Sequence, residues 1–282
     1  MRQINTVSEL RAACKTLRAD NETIGLVMTM GNLHDGHLAL VDKAKELADH
    51  VIATIFVNPM QFDKADDLAA YPRTLREDSE KLERAGVEIV FVPSNEEIYP
   101  NGADGNAKIT VPGFVDRLEG QSRPGHFVGV ATVVNKVFNM VNPDFSIFGE
   151  KDIQQLVMIQ KMVKDLNMPI EVIGLPTKRE ADGLAMSSRN GYLTKEQRAI
   201  APSFNAILSD LVRKIQNKND DFRQLESDAM QSLVDAGFGR DYVEVCRYED
   251  FEPAKKGDEN LIVVAAAWLG KARLIDNIRV PR

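Results

Sequence analysis

The fold of this chain is constrained most by short apolar runs that alternate with longer helical patterns, from its start to about residue 175. The runs are rich in β-branched residues and apolar throughout, which predicts strands buried on both faces of a sheet. They fall at residues 23–30, 51–57, 87–92, 145–148 and 170–175. Helices are predicted between them, at residues 37–49, 74–85, 127–141 and 152–166. Leu40, Ala44 and Leu47 recur at helical spacing in the first, and the second is a polar helix closed by Gly86. This alternation predicts right-handed crossovers and a parallel sheet covered by helices.

The pattern changes after Pro176. A capping box at Thr194 and Gln197 predicts the start of one helix, and a second helix is predicted at residues 222–236. Apolar runs at 242–247, 261–267 and 272–275 then predict strands joined by turns. We therefore predict an α/β fold: a Rossmann-like, doubly wound parallel sheet in residues 1–176 and a smaller C-terminal α+β domain in residues 177–282. The Gly- and Pro-rich stretch 93–125 is predicted to be irregular except for a short strand at 108–111.

The composition argues against nucleic-acid and membrane partners. The formal net charge is −7 at pH 7, whereas a nucleic-acid binder needs a basic face to neutralise phosphates. The longest apolar run, at residues 261–269, is much shorter than the roughly 20 residues of a membrane-spanning helix. Cys14 and Cys246 lie far apart and fit neither a disulfide scaffold nor a zinc cluster, so we expect a reducing, cytoplasmic location.

The segment TMGNLHDGH, from Thr29 to His37, joins the first of these strands to a helix. Doubly wound sheets bind ligands where strands end and helices begin, and a helix N-terminus suits a phosphate. His34 and His37 fall on the same side of the first turn if the helix begins near Asp35. The segment therefore predicts a phosphate site. Two alternatives stay open: Asp35 as an N-cap beside two surface histidines, and a zinc pair, for which no third ligand lies close in sequence.

Further polar segments are predicted at the same edge of the sheet. They comprise Asn58 and Gln61, Arg123 and His126, Gly149, Lys151, Asp152 and Gln155, and the loop Met186, Ser187, Ser188, Arg189 and Asn190. Lys151 and Asp152 suit a phosphate and Mg²⁺ respectively, and the hydroxyls and guanidinium of the last loop suit phosphate oxygens. Each segment alone is compatible with a capped turn, but their common edge favours a binding site.

The His34-Asp-Gly-His37 element resembles the first signature of the nucleotidyltransferase superfamily, which includes class I aminoacyl-tRNA synthetases. A longer set of motifs resembles the pantothenate synthetase family, also called pantoate–β-alanine ligases. These motifs are TMGNLHDGH, FVNPMQF, YPRT, LEGQSRPGHF, FGEKD-x-QQ, DGLAMSSRN and RLIDN, in this order along nearly the whole chain. Met28 stands where the family usually has proline and Ile153 where it usually has an aromatic residue. Neither departure removes a polar group.

The resemblance implies an enzyme that uses ATP and Mg²⁺ to activate pantoate as pantoyl adenylate and then joins the acyl group to β-alanine. It also implies a homodimer. By family position, His34, His37, Lys151 and Arg189 are expected to be catalytic. The ATP-binding positions that it implies are Met30, His34, His37, Gly149, Lys151, Asp152, Met186, Ser187, Ser188 and Arg189, with Asp152 near the metal. The pantoate-binding positions are Met30, Gln61 and Gln155, with Asn58, Arg123 and His126 as additional site residues.

Two other functional classes compete with this interpretation. One is another adenylyltransferase of the same superfamily or a tRNA-charging enzyme, although the acidic balance and short C-terminal domain disfavour tRNA. The other is a nucleotide-binding regulatory module without turnover. The number of polar segments predicted at one sheet edge favours an enzyme.

Overall fold

The computed structural model of the chain describes residues 1–62 and 65–280. The chain divides into two compact units. The first unit comprises residues 1–150 and 154–176, and the second comprises residues 151–153 together with the chain from residue 177 onward. The short segment 151–153 thus belongs with the second unit although its neighbours in sequence belong with the first.

The first unit is built on a six-stranded parallel sheet with the strand order β1-β4-β3-β2-β5-β6. Its strands are β1 (Arg2–Ile4), β2 (Ile24–Thr29), β3 (His50–Ile55), β4 (Ile89–Phe91), β5 (Phe145–Gly149) and β6 (Glu171–Leu175). From β2 the chain first builds outward through β3 and β4, and later adds β5 and β6 on the other side of β2. The strand order therefore reverses between β2 and β5, which is where a doubly wound sheet binds its ligand. The predicted fold class is confirmed.

Helices accompany the sheet of the first unit. They are α1 (Val7–Leu17), α2 (Asp35–Leu47), α3 (Ala65–Ala70), α4 (Leu75–Arg84), α5 (Asn95–Ile98), α6 (Glu119–Ser122), α7 (His126–Val141) and α8 (Ile153–Asp165), with a 3₁₀ turn at Pro59–Gln61. A further 3₁₀ turn is formed by Glu150–Asp152, and its last two residues group with the second unit, as does the first residue of α8. Adjacent side chains of the central strand, Leu26 and Val27, are both fully buried although they point to opposite faces. Burial on both faces is the reason that the strands read as continuous apolar runs.

The second unit contains a three-stranded antiparallel sheet in the order β7-β8-β9. Its elements are α9 (Lys195–Ile200), α10 (Ser203–Gln216), α11 (Phe222–Asp235), β7 (Gly239–Arg247), β8 (Leu261–Leu269) and β9 (Ala272–Val280), with a 3₁₀ turn at Ser188–Tyr192. Apolar side chains of α10, α11 and the sheet form its core. The predicted capping box is present, because Thr194 Oγ1 accepts from Gln197 N at 3.3 Å and Gln197 Oε1 accepts from Thr194 N at 3.0 Å.

Some elements differ from the sequence predictions. Residues 108–111 form no strand, because the N–H of Ile109 is bound instead by the side chain of Thr132 in α7. The elements β1 and α1 were not predicted. Strands β7 and β9 are longer than predicted because their polar ends still pair with β8. Within the described ranges, no helix is long and apolar enough to span a bilayer.

Candidate active site

A buried carboxylate binds the backbone of the loop that follows β2. Gly31 and Asn32 both adopt positive φ angles, of 83° and 52°. Asp78, in α4, is fully buried and accepts hydrogen bonds from the N–H groups of Asn32 and Leu33, each at 2.8 Å. A Cβ at Gly31 would lie 3.0 Å from Asp78 Oδ2. Glycine is therefore required here by both the backbone angle and the closeness of the carboxylate.

Helix α2 begins at Asp35, two residues before the predicted start at residue 37, and its N-cap is His34 and not Asp35. His34 Nδ1 accepts the N–H of Gly36 at 3.1 Å, and His37 Nδ1 accepts the N–H of His34 at 3.3 Å. The two ring centroids lie 4.1 Å apart. This reciprocal arrangement is a capping box in which two histidines replace the usual Ser or Thr and Glu or Gln.

The cap determines what the two imidazoles can offer to a ligand. In a neutral imidazole whose Nδ1 accepts a hydrogen bond, the proton is carried by Nε2. His34 and His37 therefore both present an Nε2–H donor at the end of α2, where the helix dipole favours an anion. An Nε2 that carries a proton is not a metal ligand. Moreover, residues 1–62 and 65–280 include no group of three or more His, Cys, Asp or Glu residues placed to hold a metal.

Gln61 lies in the 3₁₀ turn after β3, and its amide is oriented by buried neighbours. Asn58 Nδ2 donates to Gln61 Oε1 at 3.1 Å, and Gln61 Nε2 lies 3.0 Å from the sulfur of Met30. Asn58 is 1% exposed and also accepts a 2.7 Å hydrogen bond from the hydroxyl of Tyr99. Asn58 thus lies behind Gln61 and fixes its Nε2 as the donor. Tyr99 was missed because it lies in the stretch predicted to be irregular.

Arg123 and His126 both form hydrogen bonds with the backbone carbonyl of Gln61. Arg123 Nη2 and His126 Nδ1 approach the carbonyl oxygen of Gln61 at 3.2 and 2.9 Å. Arg123 Nη1 also lies 3.2 Å from His126 Nε2. Since arginine can only donate, Nε2 accepts and the Nδ1–H of His126 donates to Gln61. A Cβ at Gly129 would lie 2.3 Å from the carbonyl oxygen of Met60, so α7 approaches this turn as closely as a glycine allows.

β5 ends at Gly149, and α8 carries two adjacent glutamines that differ in their surroundings. Gln154 is buried, donates to the carbonyl of Arg117 at 3.1 Å and accepts from Glu119 N at 3.1 Å, so it fixes the segment before α7. Gln155 is partly exposed, and its side chain forms no hydrogen bond within the part of the chain that the structure describes. Of the two glutamines, Gln155 is the one available to a ligand.

In the second unit, Lys151 and Asp152 lie side by side in a 3₁₀ turn. Lys151 Nζ is 3.9 Å from Asp152 Oδ2, and the Asp152 side chain is 51% exposed. The backbone carbonyl of Lys151 accepts a hydrogen bond of 3.0 Å from Asn277 Nδ2 in β9. The carboxylate of Asp152 is therefore accessible, while the backbone of Lys151 is anchored.

The loop of residues 186–189 also belongs to the second unit. Met186 N donates to the carbonyl of Lys178 at 3.0 Å, which closes a short hairpin before the loop. Ser187 is the N-cap of the following 3₁₀ turn, where its Oγ accepts from Arg189 N at 3.2 Å and keeps its own proton for donation. Within the described ranges, the Ser188 hydroxyl and the Arg189 guanidinium have no hydrogen-bond partner in the protein. These groups can serve an anion.

A doubly wound parallel sheet with fixed N–H donors at its switch point defines an α/β enzyme of the nucleotide-binding class. Residues 2–279 match the protein family described as pantoate-beta-alanine ligase. The pantothenate synthetase of Azotobacter vinelandii is 53% identical over 277 residues, covering 98% of each chain.

Solved structures agree with the sequence comparison. The pantothenate synthetase of Thermus thermophilus matches with a TM-score of 0.92, 40% identity and 100% coverage of both chains. The pantoate-β-alanine ligase of Francisella tularensis, in complex with β-γ ATP and β-alanine, matches with a TM-score of 0.83 and 34% identity, over 99% of this chain and 97% of that one.

The chain therefore belongs to the pantoate–β-alanine ligase family. The resemblance seen in the motifs is confirmed, and so is the prediction of an ATP-dependent ligase.

Proposed function

We propose that the protein condenses pantoate with β-alanine through a pantoyl-adenylate intermediate. In the first step, a carboxylate oxygen of pantoate attacks the α-phosphorus of ATP, and the bond to the β-phosphate breaks to release pyrophosphate. In the second step, the neutral amine of β-alanine attacks the acyl carbon. The bond between that carbon and the former carboxylate oxygen breaks, and AMP leaves with the oxygen. The Francisella relative, which was solved with β-γ ATP and β-alanine, supports two of the three substrates.

The observation that carries the proposal is the histidine capping box of α2. Pyrophosphate is a good leaving group only if its developing negative charge is stabilised. His34 and His37 offer two Nε2–H donors whose direction is already set by the cap. A preorganised donor of this kind contributes roughly 3 kcal/mol to the transition state. The histidines act in this proposal as donors to phosphate and not as general bases.

The second unit supplies the remaining phosphate ligands in this proposal. Lys151 provides a compact cation and Arg189 a planar guanidinium, and the hydroxyls of Ser187 and Ser188 provide neutral donors. The backbones at Gly149 and Met186 would approach the nucleotide. Support comes from the partner-free Ser188 and Arg189 side chains within the described residues.

Pantoate would be bound by Gln61 and Gln155. The Gln61 amide is oriented by Asn58 so that its Nε2 donates, which suits the oxygen atoms of pantoate. Gln155 lies in the first turn of α8, and its amide forms no hydrogen bond with the described residues. Met30 contacts Gln61 and supplies an apolar, polarisable surface for the dimethyl part of the substrate.

A Mg²⁺ ion bound with ATP fits the donor set at Asp152. Mg²⁺ in nucleotide sites is held by one or two carboxylates together with phosphate oxygens and water. Asp152 is a single, half-exposed carboxylate, which matches an ion carried mainly by ATP. When bound, the ion would supply charge stabilisation to the phosphates. The role of Asp152 would be to hold it, beside the cation of Lys151.

In this proposal, attack by the β-alanine amine is accelerated mainly by holding the amine close to the acyl carbon. No group among those described above is assigned as the base that deprotonates the β-alanine ammonium. Holding the amine close to the acyl carbon converts a bimolecular step into an effectively unimolecular one, which is a large advantage by itself. Exclusion of water is also needed, because an acyl adenylate hydrolyses readily.

We further propose that the protein is a cytoplasmic homodimer in which the two compact units act as separate domains. The family resemblance supports the dimer, and the division of the chain supports the domains. Sedimentation velocity tests the assembly: a mass of twice the 31.4 kDa chain is expected, and a monomer at micromolar concentration would contradict it.

An isotope experiment tests the reaction itself. The protein is incubated with ATP, Mg²⁺, β-alanine and pantoate labelled with ¹⁸O in its carboxylate, and the nucleotide product is analysed by mass spectrometry. The proposal predicts AMP that carries one ¹⁸O atom, together with unlabelled pyrophosphate. Unlabelled AMP, or ADP with phosphate, would rule out the adenylate mechanism. A complete lack of turnover would favour a regulatory module.

A further inference from the structure

The sequence motif RLIDN, at residues 273–277, has no part in the proposed chemistry, yet it contains two buried polar residues. Asp276 is 3% exposed and Asn277 is 8% exposed. Buried polar groups are retained in proteins when they have hydrogen-bond partners, so the partners indicate what the residues do. Both lie in β9, where they pair with Ala265 and Val264 of β8.

Asp276 anchors the segment that precedes the 186–189 loop. Arg179 donates two hydrogen bonds to its carboxylate, at 2.7 and 2.8 Å, and Asn205 adds a third at 3.0 Å. Arg179 also donates to the carbonyl of Gly183 at 3.2 Å and pairs with Ala185 across the short hairpin. The bidentate geometry fixes the guanidinium in one orientation. This point of β9 is therefore a rigid base within the second unit.

Asn277 connects this hydrogen-bond network to Lys151. Its backbone N–H donates to Asp276 Oδ1 at 2.8 Å, and its side-chain Nδ2 donates to the carbonyl oxygen of Lys151 at 3.0 Å. Lys151 belongs to the three-residue segment that groups with the second unit, away from its sequence neighbours. The backbone of this cation is thus bound by a side chain that is itself held in a buried network.

We propose that Asn277 is a positioning residue for Lys151: by holding the Lys151 carbonyl, it fixes where the ammonium group meets the ATP phosphates. The inference rests on the proposed function, since Lys151 has been assigned to ATP there. A misplacement of about 1 Å far from the chemistry can cost up to a hundredfold in rate. The contact made by Asn277 is therefore a specific and testable link between the RLIDN motif and catalysis.

The substitution Asn277→Asp tests the link with little change in shape. A carboxylate cannot donate to the Lys151 carbonyl, whereas a protonated carboxyl can. At pH 8 we expect the dissociation constant for MgATP to rise and kcat/KM for ATP to fall, each by at least about tenfold. Asn277→Ala, which cannot donate to the carbonyl either, should show a loss of the same order.

A matched control comes from Glu226, a buried residue of the same unit whose side chain also bonds a backbone group, the N–H of Val245, at 2.6 Å. Glu226→Ala should lower the melting temperature and leave MgATP affinity and kcat/KM per folded molecule unchanged. All variants are compared at equal folded concentration. In this way a general loss of stability in the second unit is separated from a loss of positioning.

The outcomes separate this inference from the proposed function. Unchanged MgATP affinity in Asn277→Asp or in Asn277→Ala at pH 8 would overturn the positioning role. A loss of equal size in Glu226→Ala would also overturn it. Failure of the proposed function would be seen differently, as wild-type protein that binds MgATP but forms no labelled AMP. The affinity ratios would then still decide the role of Asn277.

Discussion

The two units hold their candidate phosphate ligands in different ways. In the first unit, His34 and His37 stand at the start of α2, and the hydrogen bonds that orient their rings come from the same turn. In the second unit, Lys151 and the 186–189 loop lie outside the α-helices and strands, and side chains of β9 hold them or the hairpin before them. Asn277 lies 126 positions from Lys151, and Asp276 lies 97 positions from Arg179.

This difference teaches how each half of the chemistry depends on the rest of the chain. A donor on a helix end is positioned by local sequence: the end of a strand, a turn and a cap. A donor held by a remote strand is positioned only when the surrounding network is formed. Direct ligands should therefore be equally important in both units, whereas remote substitutions should matter more in the second.

The largest expected effect concerns the direct ligands. His34→Ala and Lys151→Ala should each slow pyrophosphate release at least about a hundredfold, because each removes a donor worth roughly 3 kcal/mol in the transition state. Their effects on stability should differ. His34→Ala also removes the N-cap of α2 and should lower the free energy of unfolding by about 1 kcal/mol. Lys151→Ala removes a long, 3.9 Å ion pair and should leave stability near that of wild type.

A second variant at the same position separates the cap from the chemistry. Asparagine is among the best N-cap residues, so His34→Asn should keep the stability of the wild type while losing the Nε2–H donor. Rapid-quench measurement of adenylate formation and thermal unfolding together decide the matter. If His34→Asn retained the wild-type rate, His34 would be a structural cap, and the first unit would contribute less to phosphate binding than proposed.

Asp78 tests the difference between the two units, because it is a remote anchor in the first unit, 46 positions from Asn32. In Asp78→Asn an amide NH₂ replaces one acceptor oxygen, and a buried loop N–H loses its partner. The free energy of unfolding should fall by about 1–3 kcal/mol. The rate of adenylate formation should fall by only about threefold, less than for Asn277→Asp, since the loop leading to His34 shifts but the cap that orients the ring is local. Urea titration and single-turnover kinetics measure the two effects.

Thr74 provides the control for this variant. Its hydroxyl donates to the same carboxylate at 2.9 Å, but it leaves both loop hydrogen bonds intact. Thr74→Val should therefore reduce stability and keep adenylate formation within about twofold of wild type. If Asp78→Asn slowed adenylate formation by about tenfold or more, remote anchoring would matter as much in the first unit as in the second, and the comparison would fail.

The same contrast explains how much of the fold could be predicted from the sequence. The central strands were found because burial on both faces makes them continuously apolar, as at residues 51–57. Strand β1 was missed because it has only three residues, of which Arg2 and Gln3 are polar and exposed and Ile4 alone is buried. Helix α1 did carry one: Thr6 caps it by accepting from Glu9 N at 3.3 Å, a T-x-x-E pattern that the sequence displays.

The candidate site was predictable in part for a similar reason. His34 and His37 could be found because a strand end, a glycine turn and a helix start are local features. The arrangement around Gln61 could not, since it requires Tyr99 and α7 to fold back onto the turn after β3. Arg123, His126 and Asn58 were predicted as site residues, and their part in orienting Gln61 was visible only in three dimensions.

A smaller effect is expected from a buried carboxylate of the second unit. Burial raises the pKa of Glu226 to about 7 from an ordinary value of 4.5, although the N–H of Val245 and the charge of Arg223 act to lower it. A carboxyl with a raised folded-state pKa contributes its stability below the unfolded value, and that contribution is lost as the pH rises through about 7. Glu226→Gln keeps an oxygen for Val245 and should be more stable than wild type by roughly 1–2 kcal/mol at pH 8.

The advantage of Glu226→Gln should vanish near pH 4.5, where the wild-type carboxyl is protonated in the folded protein. Urea unfolding at the two pH values measures the difference, and an equal gain at both would contradict the role of ionisation. Glu226→Gln also tests whether the stability of the second unit alone affects catalysis, because the substitution leaves the anchoring residues of β9 unchanged. Its kcat/KM should equal that of wild type at pH 8.

The smallest effect is expected from the corresponding titratable group of the first unit, His50 at the start of β3. Its ring nitrogens lie 2.5 Å from Glu88 Oε2 and 2.7 Å from Glu22 Oε2. Burial acts to lower the pKa of His50, but the hydrogen bonds to the two carboxylates outweigh it and raise the pKa. Stability from this group is therefore present at low pH and lost as the pH rises through the raised pKa. His50→Gln should cost less than about 1 kcal/mol at pH 6, since exposed ion pairs are weak.

At pH 9 the cost of His50→Gln should fall towards zero, because the wild-type imidazole is then neutral and the glutamine amide can replace its hydrogen bonds. Thermal unfolding of both proteins at pH 6 and pH 9 measures this change, and high salt should reduce the difference at pH 6. A cost that grew with pH would mean that the imidazole is held neutral in the folded protein. The cluster lies at the opposite end of β3 from the turn that carries Gln61. Adenylate formation should therefore be unaffected by His50→Gln, whereas His34→Ala and Asp78→Asn, which change the loop after β2 or its anchor, should slow it.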